Sequence, residues 1–245
     1  MRILQLGVVA LGLMGLSGGW SGAALAGPSN AVFAYTDGTT PGSVFLTLNT
    51  AGGSRTVNAS LAGAYDQNGG LVTGNYLAGV CGSSDGCLGD DLSRHDFFVF
   101  SLSGLSARVI SATLNLFNPD ASVDPGLGTP IPPGYISTAP SLTYTNFDVA
   151  SALDPVTGTS AAANVYGDLG SGAIYGSTVV SPLNNGQFVS VTLNAAALTA
   201  LNQAAGGNFS IGGSVTSVPE PISLALFGLG LGALTFARRP QAMRS

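Results

Sequence analysis

Short runs in which apolar and polar residues alternate at every second position constrain this chain more than any other feature. Val44, Leu46 and Leu48 alternate with Phe45 and Thr47, and Phe98, Phe100 and Leu102 with Phe97, Val99 and Ser101. Ile110, Ala112, Leu114 and Leu116 are spaced by Ser111, Thr113 and Asn115, and Val189, Val191 and Leu193 by Ser190 and Thr192. Successive strand side chains point to opposite faces, so each run is expected to be a strand with one buried face. Turn-forming clusters separate the runs: Asn68-Gly69-Gly70, residues 120–133, residues 154–158 and Asn184-Asn185-Gly186. Short amphipathic strands punctuated this often predict an all-β chain, an antiparallel β-sandwich of the jelly-roll kind. One helical pattern interrupts it at residues 195–205, with Asn194 placed to cap its start, Gly206-Gly207 to end it, and Leu198 and Leu201 facing the sandwich. The Pro-rich stretch 124–140 reads as a long exposed loop, because strand patterning resumes at 141–149. No internal repeat of solenoid length is evident.

Composition decides two questions that periodicity leaves open. With 36 Gly and 8% charged residues the chain could be low-complexity coil, but 45% hydrophobic residues, with 11 Phe and 7 Tyr, supply a core. The seven cations are all Arg, and Arg2, Arg238, Arg239 and Arg244 lie near the ends. Residues 27–217 keep Arg55, Arg94 and Arg108 against eleven Asp. A surface that acidic repels phosphate backbones, which excludes nucleic acid as a partner and suits cations or neutral polymers.

The two ends read as processing segments. Met1-Arg2 precedes an apolar run over 3–16 and a small-residue exit, Ala24-Leu25-Ala26, the order that signal peptidase recognises. Cleavage is expected after Ala26, so the mature chain begins at Gly27 and residues 1–26 form an N-terminal signal helix. At the other end Pro219-Glu220-Pro221 precedes an uncharged run over 222–237 and then Arg238-Arg239. As a helix that run reaches about 24 Å, short of the ~30 Å hydrocarbon core, which makes it a marginal transmembrane helix. The arginines favour the cytoplasmic side and leave residues before Pro219 outside, while the two prolines keep the helix from extending backward. The expected organisation is a signal peptide (1–26), a β-sandwich ectodomain (27–217) and a sorting tail (218–245).

These tail residues resemble the PEP-CTERM sorting signal, carried by substrates of exosortase in Gram-negative bacteria that make exopolysaccharide. The resemblance implies recognition at Pro219, Glu220 and Pro221, transient retention in the inner membrane by residues 222–237, with Arg238 and Arg239 at its end, and release to the cell surface or extracellular matrix. It implies exosortase and signal peptidase as processing partners and exopolysaccharide as a neighbour. Residues 96–103 with 109–117 resemble the paired central strands of surface-protein sandwiches related to carbohydrate-binding modules, a likeness of fold that transfers no sugar-contacting residue.

The remaining chemistry is sparse. Cys81 and Cys87 bracket five residues in a chain bound for an oxidising compartment, and a local disulfide worth about 2 kcal/mol is expected there, with two buried thiols as the alternative. Asp85, Asp90 and Asp91 are candidate calcium ligands, or a solvated acidic loop; no other cofactor is expected. Ser93, His95 and Asp96 crowd together in sequence, yet neighbours on a strand face opposite sides and do not converge as a triad does. Tyr135, Tyr144, Tyr166 and Tyr175 could stack on sugars or pack half-buried with a hydrogen-bonded tip. The expectation is therefore a non-enzymatic structural or adhesive surface protein, then a polysaccharide-binding module, and last a glycan-active hydrolase.

Overall fold

A computed structural model of the protein describes residues 29–34, 42–82, 91–123, 130–150 and 162–217. Its strands form one antiparallel 12-stranded network, plus a two-stranded ribbon of β8 (Ser122–Val123) with β9 (Pro130–Ile131). The network folds over on itself through β3 (Gly53–Asp66). The first half of β3 pairs with β2 (Val44–Thr50), and its second half, beyond a register shift at 59–61, pairs with β6 (Ser93–Ser101). A bulge of this kind bends a long strand so that it can serve two layers.

One layer runs from β3 through β2 and β7 (Val109–Asn118) to β13 (Gln187–Thr192). The other runs from β4 (Leu71–Thr73) through β3, β6 and β14 (Asn208–Ser217) to β11 (Leu142–Phe147) and β12 (Ile174–Val180). Three short strands, β5 (Ala78–Val80), β1 (Asn30–Val32) and β10 (Ile136–Ser137), extend from the first residues of β6. The core between the layers is filled by Leu46 and Leu48, Leu114 and Leu116, Val189 and Val191 on one side, and by Phe98, Phe100, Leu142, Tyr144 and Ile211 on the other. Each fully buried aliphatic or aromatic side chain contributes about 1.5–3 kcal/mol, so the alternation itself is the main source of stability.

Three expectations are corrected. Strands β6 and β7 do not pair with each other: they lie in opposite layers. The connection arches across the core edge because Leu102 and Leu105 are themselves buried, with Leu105 N–H donating to the Leu102 carbonyl and Leu102 N–H to that of Gly207. On β7 the buried residue is Val109, not Ile110, which is 62% exposed. A register shift at Asn49/Thr50 of β2 opposes this point and turns the strand over by one residue. Of the supposed exposed loop 124–140, the part from 130 onward is pinned. Asn118, fully buried, accepts from Phe33 N–H through Oδ1 and donates through Nδ2 to Asn185 Oδ1, which also takes the Tyr135 N–H.

The expected helix is α2 (Ala195–Gln203), with Asn194 Oδ1 accepting from Ala196 and Ala197 N–H and Leu201 fully buried. Asn194→Ala should cost about 1 kcal/mol, the usual worth of an N-cap, read as a lower urea midpoint at unchanged slope. A second helix, α1 (Ala162–Leu169), covers the outer face of β6. Val165 and Leu169 pack there on Tyr65, Phe97 and Val99, so β6 is buried on both faces. Among the described residues no helix is long and apolar enough to cross a membrane; the flanking helices expected at 1–26 and 222–237 lie outside the described residues.

Candidate functional site

The polar cluster around residue 95 is split by the pleat of β6. Asp96 points into the core, fully buried, where the Tyr144 hydroxyl donates to its two carboxyl oxygens at 2.9 and 3.0 Å. Asn146 Nδ2 donates in turn to Tyr144 Oη at 3.0 Å and to the Gly212 carbonyl at 3.1 Å. Burial raises the Asp96 carboxyl well above the usual carboxylate range, against the opposing pull of the Tyr144 hydrogen bond. Burial first, and the neighbouring Asp96 second, push the Tyr144 hydroxyl up as well. His95 points the other way, under α1, with its ring stacked on Tyr166 at 4.0 Å and Nδ1 donating to the Tyr166 carbonyl at 2.6 Å. Burial lowers its pKa, and the carbonyl bond partly offsets that. Tyr166 Oη donates to Ser93 Oγ at 2.9 Å. Ser93, His95 and Asp96 therefore build no triad, and their polar atoms are used in packing.

The tyrosines singled out for sugar stacking are mostly inside. Tyr135, Tyr144 and Tyr175 are buried and Tyr166 is half-covered by its stack on His95. Among the described residues the large aromatic ring most open to solvent is Phe188, 48% exposed, against Phe45 and Phe117, each 5.4 Å away on the outer face of the β2–β7–β13 layer. Of these three, simple alternation marks only Phe45 as outward-facing; Phe117 and Phe188 sit near strand ends, and their meeting with Phe45 depends on the pairing of β2, β7 and β13. Cys81 is buried and disulfide-bonded, while Cys87 lies outside the described residues. Asp91 is exposed at a φ of 52°; Asp85 and Asp90 lie outside the described residues, among which no group of three or more metal-ligating side chains is gathered. Ala24, Ala26, Gly27, Pro219, Glu220, Pro221, Arg238 and Arg239 also fall outside them.

The end of the sandwich where β14 begins carries two adjoining grooves. The larger, about 780 Å³, runs between α2 and the start of β7, floored by Val109, Ile110 and Leu198 and edged by Arg108, Asn202 and Gln203. The smaller, about 240 Å³, lies between the β2–β3 turn and the 104–107 loop and is edged by Arg55. Arg55 donates through Nη1 to the Gly104 carbonyl, which holds the loop against the turn. Asn202 fixes α2 to the groove floor by accepting from Val109 N–H and donating to the Val109 carbonyl, at 2.8 and 3.1 Å. Among the described residues neither lining contains an acid.

From this end β14 runs between β6 and β11 through the middle of its layer to Ser217, still paired there with Leu142. The molecule is thus an antiparallel β-sandwich whose last central strand leads directly into a C-terminal processing tail. Residues 217–239 match the family model of the PEP-CTERM protein-sorting motif, beginning at the final residue of β14. The chain carries that motif, which marks it as an exported surface protein sorted by exosortase. No curated protein and no solved structure matches the chain, and the likeness to carbohydrate-binding sandwiches gains nothing from either comparison.

Proposed function

We propose that the sandwich is a non-catalytic structural or adhesive component of the cell surface or extracellular matrix, delivered through a signal peptide, held briefly at the inner membrane by its tail, and freed by exosortase. The observation that carries this reading is the sorting motif starting where the last strand ends. A tail joined directly to a central strand can be removed without taking any paired strand residue before 217 with it. Ser93, His95 and Asp96 are taken up in packing on the two faces of β6, which gives that cluster a structural use within the sandwich.

The test is to tag the protein internally and fractionate cells with and without exosortase. The processed, surface-associated form is expected only in the presence of the enzyme, and a variant with Pro219, Glu220 and Pro221 replaced by Ala should stay unprocessed in the membrane fraction. Unchanged size and location in both strains would overturn the sorting scheme.

A further inference from the structure

We infer that the paired grooves at the β14-initial end bind a segment of acidic polysaccharide, with Arg108 as the carboxylate anchor and Arg55 as a second cation further along. The inference rests on the surface-protein reading above and names the ligand class that reading leaves open.

Charge is the first ground. Residues 27–217 hold three cations against eleven Asp. Arg94 is buried, so the two surface arginines, Arg55 and Arg108, stand at one end of the sandwich, on grooves lined by no acid among the described residues. Arg108 is exposed and has no hydrogen-bond or ion-pair partner among the described residues. A guanidinium presents a planar fork of donors that matches a carboxylate in two parallel hydrogen bonds. Arg55 spends one nitrogen on the Gly104 carbonyl, which fixes its direction and leaves further donors at the groove edge.

The rest of the lining selects among anionic polymers. Gln203 in the larger groove, and Ser54 and Ser106 in the smaller, offer an amide and hydroxyls suited to sugar hydroxyls, and Thr199 Oγ1, which donates to the Ala195 carbonyl, can still accept. Ile110, turned outward by the register shift, adds an apolar surface for a ring face. The acidic surface as a whole suits cations or neutral polymers, and the end carrying Arg55 and Arg108 is its local exception, one that fits a chain whose charges are sparse, one carboxylate per sugar or fewer. Duplex nucleic acid, with one charge per about 1.7 Å, would press most of its phosphates against aspartates.

Placement agrees with this. The nine steps of β14 from Asn208 to Ser217 separate the groove end from the start of the sorting motif by about 30 Å at the usual strand rise, so the grooves and the motif lie at opposite ends of that strand.

The experiment measures binding of the full-length protein to polygalacturonate and to dextran in low salt with EDTA present, which removes calcium bridging between acidic groups. Polygalacturonate should bind and dextran should not. Arg108→Ala should weaken binding at least tenfold, Arg55→Ala less, and salt should abolish the difference. Arg108→Lys, which keeps the charge but loses the fork, should fall between. Thermal melting of each variant reports folding independently, and Arg108, exposed and unbonded, should melt as wild type. Equal binding by wild type and Arg108→Ala, no binding to polygalacturonate, equal binding to dextran, or Arg108-dependent self-association without glycan binding would each overturn the inference. A negative result here leaves exosortase-dependent sorting standing, and a failure of sorting leaves binding in the tube intact, so the two claims fail separately.

Discussion

Gly213→Val is expected to cost about 2–6 kcal/mol, the sum of ~1–3 for overpacking a filled core and ~1–3 for breaking a buried polar contact, out of a total near 5–15 for a domain. A Cβ at Gly213 would fall on Tyr144 Oη and Asp96 Oδ1, two atoms already joined by a hydrogen bond and fully enclosed. Neither can move away, because each is held from a different strand of the same layer. The adjacent Gly212 faces the opposite side, where a Cβ would strike the backbone of Leu169 in α1. This Gly-Gly pair therefore lets β14 accept a polar network on one face and a helix backbone on the other, a use of strand glycine for close approach. Gly167, within α1, is the contrasting site: a Cβ there meets nothing within 4 Å. Gly167→Ala should raise stability by about 0.4–1 kcal/mol through the unfolded chain's lost freedom. Urea midpoints for the two variants should move in opposite directions. A Gly213→Val protein as stable as wild type would remove the packing account of β14.

The same contrast explains what could be read from the chain and what could not. Strands β2, β7, β11 and β13 each bury one face, and each shows an alternating pattern that gives the strand away. Strand β6 presents Phe97-Phe98-Val99-Phe100 without a polar face, because α1 covers the side that would otherwise be wet. The helix doing the covering is nearly silent in sequence. Among its described side chains only Val165 and Leu169 are buried, and Val, Tyr, Gly and Asp are weak helix formers, so α1 exists by tertiary packing rather than by propensity. Asn194 before α2 is a local capping signal and was legible for that reason.

Pairing partners lay further from reach. Seven residues between β6 and β7 suggest a hairpin, and only the burial of Leu102 and Leu105 turns the connection into an arch between layers. Arg55 and Arg108 come to one end because β2, β3 and β7 lie side by side, a long-range consequence of strand order. Ile110 was assigned inward by simple alternation, and one register shift reversed it. Local sequence presents Tyr144 as a ring for sugar stacking and Asp96 as a neighbour of Ser93 and His95, whereas each is the other's buried partner. The sorting motif, by contrast, is a contiguous string that an enzyme reads as such, so its legibility owes nothing to folding.

The second large effect concerns pH. Because the folded protein keeps the Asp96 proton at pH values where the unfolded chain has released it, folding takes up a proton over that range. The Asp96 contribution is therefore complete below the ordinary carboxyl pKa of 3.8, and it drains away as pH rises, by up to about 1.4 kcal/mol per pH unit, until the raised folded-state pKa is passed. His95 acts in the reverse sense: its pKa is lowered in the fold, so its share is complete above the ordinary 6.5 and is lost as pH falls below it. Asp96→Asn carries no proton to lose and keeps an oxygen to accept from Tyr144. Its stability relative to wild type should climb as pH rises from 4 until the raised folded-state pKa is passed, the opposite of what removing an ordinary salt-bridged carboxylate would do. Asp96→Ala, which strands the Tyr144 hydroxyl in the core, should be destabilised by about 1–3 kcal/mol near pH 4, where wild type has its full contribution. His95→Gln, measured alongside, should remove the loss below pH 6.5 and leave the Asp96 slope untouched. If urea midpoints of wild type and Asp96→Asn stay parallel across this range, the carboxyl is ionised in the core, and the Tyr144 and Asn146 network would have to be holding a charge rather than a proton.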